Sequence, residues 1–194
     1  MCMYGPVIDM PAPEFNAKAL VGGEEKDLAL TDYKGKWVIL IFYPGDFTFV
    51  CPTELEDTAD MYDQFQKEEA EILSISKDTI YVHKAWKDSS PAIQKVQYPM
   101  LSDSSGIISQ AYRTYIYEGQ DAGLAQRGTF IIDPDGVLKT VEIHNNSIGR
   151  DAGELLRKLQ AAKFVRENTG LVCPAKWKPG GDTLEPGMDL VGKI

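Results

Sequence analysis

Hydrophobic positions along the chain switch between two periods. Residues 36–43 read KWVILIFY, apolar almost throughout, which predicts a strand buried on both faces. A Pro44-Gly45 turn ends it. Beyond Cys51-Pro52 the period lengthens. Leu55, Ala59, Tyr62 and Phe65 recur on one face among Glu54, Glu56, Asp57 and Asp60, so an amphipathic helix is expected there. Pro52 suits its first turn, and the early acidic residues complement its dipole. Residues 71–76 read as another short buried strand, 79–87 and 106–112 as helices, and 128–132 as a strand. Asp133-Pro-Asp-Gly136 signals a turn, with 137–143 as the returning strand of a hairpin. Leu155, Leu159 and Ala162 place a helix over 151–166. Strands and helices in alternation predict an α/β fold whose sheet contains one antiparallel hairpin. No repeat or linker divides the chain, so 1–194 is expected as one domain, with the Pro- and Gly-rich stretch 170–194 as an irregular tail.

Charge and length narrow the partners. Acidic residues number 29 against 20 basic, for a net charge of −9, which argues against nucleic acid or an anionic membrane as the main partner. The apolar run at 37–43 is far short of the ~20 residues that cross a bilayer. The first lysine is Lys18 and no basic segment precedes an apolar run, so no signal peptide is expected. Three cysteines (Cys2, Cys51 and Cys173) are not a secreted disulfide framework, which points to a cytoplasmic protein with reduced thiols. The only histidines, His83 and His144, show no metal-ligand spacing with those cysteines, so no metal is expected. No P-loop, G-x-G-x-x-G or G-x-S-x-G pattern occurs, so no cofactor is expected and electrons must come from another protein.

Cys51 stands out by position. It follows a buried strand and a short loop and opens a helix. Ligands gather outside the carboxyl ends of strands in α/β sheets, and a thiol at a helix N-terminus meets a positive dipole end that favours its anion. An average cysteine is an inert buried hydrophobe, and position alone leaves the two readings balanced. The preceding loop shifts the balance. Pro44, Thr48, Cys51 and Pro52 match Pro-x-x-x-Thr-x-x-Cys-Pro, and the chain resembles the peroxiredoxins on that signature. The chemistry agrees: a thiolate attacking an O–O bond needs donors for its own charge and for the peroxide oxygens, and the Thr48 hydroxyl and helix N–H groups can supply them. Pro44 can shield the site from water.

The resemblance implies further roles. Arg127, just before the 128–132 strand, matches the family's essential arginine, whose planar fork keeps its charge at any working pH. Glu54 is expected to pair with an arginine, and Arg150 resembles a second arginine that supports such a glutamate. Val172-Cys173-Pro174 followed by Trp177 looks like the resolving segment of typical two-cysteine peroxiredoxins. In that family the first cysteine becomes a sulfenic acid, and the other subunit's resolving cysteine condenses with it to a disulfide. His83-Lys-Ala-Trp86, Asp133-Pro-Asp-Gly136, Ile148-Gly-Arg-Asp151 and the ending Asp189-Leu-Val-Gly-Lys-Ile194 resemble the subgroup of bacterial alkyl hydroperoxide reductase C subunits. The resemblance implies a thioredoxin-like fold, with a central mixed sheet, helices on its flanks and a C-terminal tail. It also implies a hydroperoxide substrate, a homodimer often assembled as five dimers, and a flavoprotein, thioredoxin or glutaredoxin-type reductant.

Two departures carry their own expectation. Peroxide-sensitive members have a Gly-Gly-Leu-Gly insert where residues 91–97 read PAIQKVQ, and a Tyr-Phe helix beyond the resolving segment, and neither packing element is expected in this chain. Disulfide formation is therefore expected to outrun oxidation of Cys51 to the sulfinic acid. Cys2 is expected to be dispensable. Tyr81 and Trp86 read as core residues, and the resemblance puts them near an assembly interface. Two rivals remain. A thioredoxin-like disulfide oxidoreductase needs Cys-x-x-Cys, whereas the chain offers Cys51-Pro-Thr-Glu54. A holdase chaperone would not depend on Cys51.

Overall fold

The run WVILIF at 37–42 is buried at every position because it lies inside a seven-stranded sheet. The computed structural model describes residues 5–193. They fall into two compact units, Met1–Ala152 and Gly153–Ile194. The first holds β1 (Asn16–Val21), β2 (Glu24–Ala29), β3 (Trp37–Phe42), β4 (Ala70–Ser76), β5 (Met100–Ser102), β6 (Arg127–Ile132) and β7 (Leu138–His144). Their order across the sheet is β2-β1-β5-β4-β3-β6-β7. Strands β3, β4 and β5 run parallel, and the remaining neighbours pair antiparallel. Parallel neighbours require crossovers. Helices α1 (Cys51–Asp60) and α2 (Tyr62–Lys67) connect β3 to β4. Helices α3 (Ile80–Ser89) and α4 (Pro91–Gln94) connect β4 to β5, and α5 (Ile107–Ala111) follows β5. The sheet is mixed and helix-flanked, as expected.

Alternate side chains of β3 feed the core. Val38, Leu40 and Phe42 join Leu73, Ile75, Phe130, Ile132 and Tyr112 in one buried cluster. Three rings interlock there: Phe130 meets Phe42 and Tyr112 edge-on, at centroid separations of 5.5 and 4.9 Å. Leu55, Phe65 and Ile93, from α1, α2 and α4, are fully buried as well. The apolar face read from the sequence thus holds, although the helix breaks at Met61 into two pieces.

Some elements were not legible. The β1–β2 hairpin is a second antiparallel hairpin, at the opposite edge of the sheet from the expected one. Strand β2 reads EEKDLA and is exposed at its first four positions, so it carries no apolar alternation. Its turn is Gly22-Gly23, both at positive φ (60° and 92°). At 91–97 the chain forms α4, whose following Lys95 bonds Glu56 (2.8 Å) and Asp60 (3.1 Å) on α1.

The second unit consists of α6 (Ala152–Glu167), apart from its first residue, and the chain beyond it. That chain is irregular but not loose. Trp177 stacks on Phe164 of α6 at 5.0 Å, its Nε1 donates to the Gly181 carbonyl at 3.2 Å, and Val172 bridges Leu184. Among the described residues no helix is long and apolar enough to cross a membrane.

Truncating Phe130 to Ala removes the ring that both others pack on. We expect a loss of ~3–5 kcal/mol in guanidinium unfolding, and a cost under about 1 kcal/mol would contradict this packing.

Candidate active site

The loop from β3 to α1 is shaped by buried polar contacts. Tyr43 is fully buried and its hydroxyl donates to Asp46 Oδ1 at 2.8 Å. His83 Nδ1 lies 2.7 Å from Asp46 Oδ2, with both side chains inaccessible to water. The other ring nitrogen, Nε2, is 3.2 Å from the Leu101 carbonyl, which only accepts, so Nε2 carries a hydrogen. Burial pushes the Asp46 carboxyl up, against the opposing pull of His83. The Asp46 backbone N–H donates to Asp78 Oδ2 at 2.8 Å. Phe47 is forced to φ 55°, a left-handed conformation costly for a bulky residue, and its ring rests 6.0 Å from Trp86. Trp86 is a core residue, as expected, whereas Tyr81 is exposed.

Pro44 is buried where β3 ends, and Thr48 lies four residues on in the same loop. The Thr48 hydroxyl donates to the Gly45 carbonyl at 2.8 Å. Its single hydrogen is thereby used, so the hydroxyl offers a bound molecule lone pairs rather than the expected proton.

Cys51 is the first residue of α1 and is 0% exposed. Arg127, the first residue of β6, points Nη1 to within 3.4 Å of Cys51 Sγ. The same Nη1 donates to Glu54 Oε2 at 2.5 Å. Glu54 sits one turn into α1 and is 4% exposed. Its second arginine is Arg150, whose backbone N–H and Nε both donate to Oε1, at 2.9 and 2.8 Å, while Nη2 reaches Oε2 at 3.0 Å. Arg150 Nη1 is fixed in turn by the Gly128 carbonyl (2.9 Å) and Thr129 Oγ1 (3.2 Å). Gly128 is itself closely packed on Thr114: a Cβ there would meet Thr114 Cγ2 at 2.5 Å.

Burial pushes the Glu54 carboxyl up, but hydrogen bonds and charge from Arg150, then the charge of Arg127, outweigh it and leave it below the ordinary carboxylate value. Glu54 is therefore an anion at neutral pH. One carboxylate between two guanidiniums leaves one positive charge over, and Cys51 Sγ lies 3.4 Å from Arg127 Nη1. A sulfur nucleophile held against an arginine, with a loop hydroxyl nearby in sequence, is equipped to attack a polar O–O bond.

Cys51, Glu54, Arg127 and Arg150 are thus brought together in the first unit. Cys173 lies in the second unit, half-buried, with Sγ 4.0 Å from the Ala161 carbonyl of α6. Burial pushes its thiol up, against the smaller influence of Arg157. Cys2 falls outside the described residues. Sequence reasoning missed the Asp46–His83 pair, weighing His83 as a metal ligand and as part of the His83-Lys-Ala-Trp86 resemblance but not as a partner of the loop. The one available signal was an aspartate between Pro44 and Thr48 in a loop already singled out.

The family model "AhpC/TSA family" matches residues 8–141, which include Pro44, Thr48, Cys51, Glu54 and Arg127. The chain belongs to the AhpC/TSA family. Its match to alkyl hydroperoxide reductase C of Bacillus subtilis is 53% identical over 180 residues, covering 93% of this chain and 95% of that protein. The protein of the same name from Amphibacillus xylanus is 50% identical over 181 residues, with 93% and 95% covered. Among solved structures, Enterococcus faecalis AhpC is similar at a TM-score of 0.82 and 41% identity, over 87% of this chain and 99% of that one. The reduced 2-Cys peroxiredoxin of Plasmodium vivax is similar at 0.87 and 34%, over 94% of each chain. Relatives of the AhpC/TSA family thus extend past residue 141, over nearly the whole chain.

The Glu54 pairing has a pH signature. A depressed carboxyl adds stability above its ordinary value of 4.5 and loses it as pH falls through the lower folded value. Glu54→Gln should cost ~3–5 kcal/mol near neutrality, and its melting-temperature gap to wild type should close below that pH. A gap independent of pH would contradict the pairing.

Proposed function

We propose that this chain is a thiol-dependent peroxidase that reduces hydrogen peroxide and alkyl hydroperoxides to water and alcohols. The observation that carries the reading is the buried Cys51 Sγ at 3.4 Å from an arginine that Glu54 holds in place. The names of the relatives, alkyl hydroperoxide reductase C and 2-Cys peroxiredoxin, support it. Cys51 attacks as the thiolate. An S–O bond forms, the O–O bond breaks, and the departing alkoxide or hydroxide takes up a proton, leaving a sulfenic acid. Arg127 stabilises the charge as it moves from sulfur to oxygen. Thr48, whose hydroxyl hydrogen is committed to Gly45, accepts from the hydroperoxide O–H. Pro44 limits access of water.

Cys173 of a second subunit then attacks the sulfenic sulfur. An S–S bond forms and water leaves. Its raised thiol keeps it protonated and spares it from peroxide until the sulfenic acid arrives. In this reading residues 1–194 act as one peroxidase domain, with the tail from 170 delivering Cys173. The working unit is a homodimer, further assembled as five dimers. A protein dithiol, from a flavoprotein reductase or a thioredoxin- or glutaredoxin-type protein, reduces the disulfide in the cytoplasm. A disulfide oxidoreductase is disfavoured because the position a second thiol would occupy is Glu54, engaged by two arginines. A holdase chaperone would retain its activity without Cys51.

Non-reducing electrophoresis after one equivalent of peroxide should give a dimer band that disappears in Cys51→Ser and in Cys173→Ser. Intact mass under modest peroxide excess should show the disulfide rather than a sulfinic acid. A monomer-sized disulfide product would contradict resolution between subunits, and rapid sulfinylation would contradict the robust behaviour expected of this chain.

A further inference from the structure

Arg127 is held on two sides, and only one of them is the glutamate. Its Nε donates to the backbone carbonyl of Asn146 at 2.9 Å. That bond orients the guanidinium plane, so whatever fixes Asn146 also fixes where Nη1 points. Asn146 lies between β7 and α6, in a segment with a local turn: Ile148 N–H donates to the Asn145 carbonyl and Ser147 N–H to Asn145 Oδ1, both at 2.9 Å. The Asn146 side chain leaves this segment. Its Nδ2 donates to Asp121 Oδ2 at 3.1 Å.

Asp121 belongs to the excursion that leads directly into Arg127. There Ile116 N–H donates to the Leu124 carbonyl (2.9 Å), Gly123 N–H to the Ile116 carbonyl (2.8 Å) and Gln126 N–H to the Thr114 carbonyl (2.6 Å). A closed ring results. The Arg127 side chain grips Asn146, the Asn146 side chain grips Asp121, and the backbone from Asp121 returns to Arg127. The amide orientation follows from charge: turned over, Asn146 would face the Asp121 carboxylate with its oxygen, two acceptors against each other. Asn146 Oδ1 is buried without a hydrogen-bond partner among the described residues, so the bond to Asp121 is what sets this side chain.

Resting on the reading of Arg127 given above, we propose that Asn146 and Asp121 are positioning residues for peroxide reduction: their side-chain bond locks the segment whose carbonyl aims Arg127 at Cys51. Neither touches the sulfur. Glu54 still binds Nη1 when the lock opens, so the rate falls by about tenfold rather than vanishing.

The test is the second-order rate constant for Cys51 oxidation by hydrogen peroxide, measured by stopped flow on the full chain. Asn146→Ala, which removes the bond without adding charge, should lower it about tenfold, and Asn146→Asp, which sets two carboxylates together, at least as much. Asp121→Asn combined with Asn146→Asp restores both the pairing and the net charge, and should recover the wild-type rate within about threefold. The later disulfide-forming step should keep its rate in all of these, which a general loosening of the fold would not allow. A wild-type rate in Asn146→Ala, or a swap as slow as Asn146→Asp, overturns the proposal. Arg127→Lys measured alongside separates the two levels: if it too keeps the wild-type rate, the role of Arg127 itself fails.

Discussion

A carboxylate buried beside a sulfur would be costly unless it were fully paired, and Glu54 is paired twice over. That pairing is the constraint on which the site depends. Arg150 takes both carboxylate oxygens in a fork, which leaves Arg127 free to share one oxygen and still face Cys51 Sγ. The sheet makes this possible. β3 and β6 are antiparallel neighbours, so the end of one and the start of the other lie side by side. Cys51 comes off the end of β3 by a short loop, and Arg127 starts β6. The proposed peroxide chemistry then needs little more than an access route, a hydrogen-bond acceptor for the hydroperoxide O–H and a proton for the departing oxygen.

Around that centre, buried polar groups shape the loops. Asp46, His83, Tyr43 and Asp78 fix the loop ahead of Cys51, and they do so in a region shielded from water, where a satisfied network is rigid. The strained φ of Phe47 is tolerated because the residues on either side of it are held. Asn146 and Asp121 do for Arg127 what Asp46 and His83 do for the cysteine loop. The loop that leads to Cys51 and the side chain of Arg127 are each held by hydrogen bonds from outside the Cys51–Arg127 contact.

Much of this was legible in the sequence because the relevant signals are local. The buried strand, the turn and the Pro44–Pro52 signature all lie within a short stretch, and each residue type there has its own physical reason. Glu54 was legible from its place on the helix, whereas Arg127 was singled out only through the resemblance to the peroxiredoxins, since an arginine before a strand is by itself an ordinary solvated residue. The β1–β2 hairpin was not, since β2 is too polar to alternate. The Asp46–His83 bond joins positions 37 residues apart, and no periodicity reports a contact of that kind. The Thr48 hydroxyl could be named but not oriented, because its direction depends on the fold of the loop around Gly45.

The account rests on the Arg127 charge standing at Cys51 Sγ. The most direct measurement is the rate constant for oxidation of Cys51 by hydrogen peroxide in Arg127→Gln, in a Cys173→Ser background so that a single step is observed. Glu54 keeps its fork to Arg150 in that variant, so the fold should survive. A fall of about a hundredfold or more is predicted. A rate unchanged from that of the Arg127 parent would contradict the account.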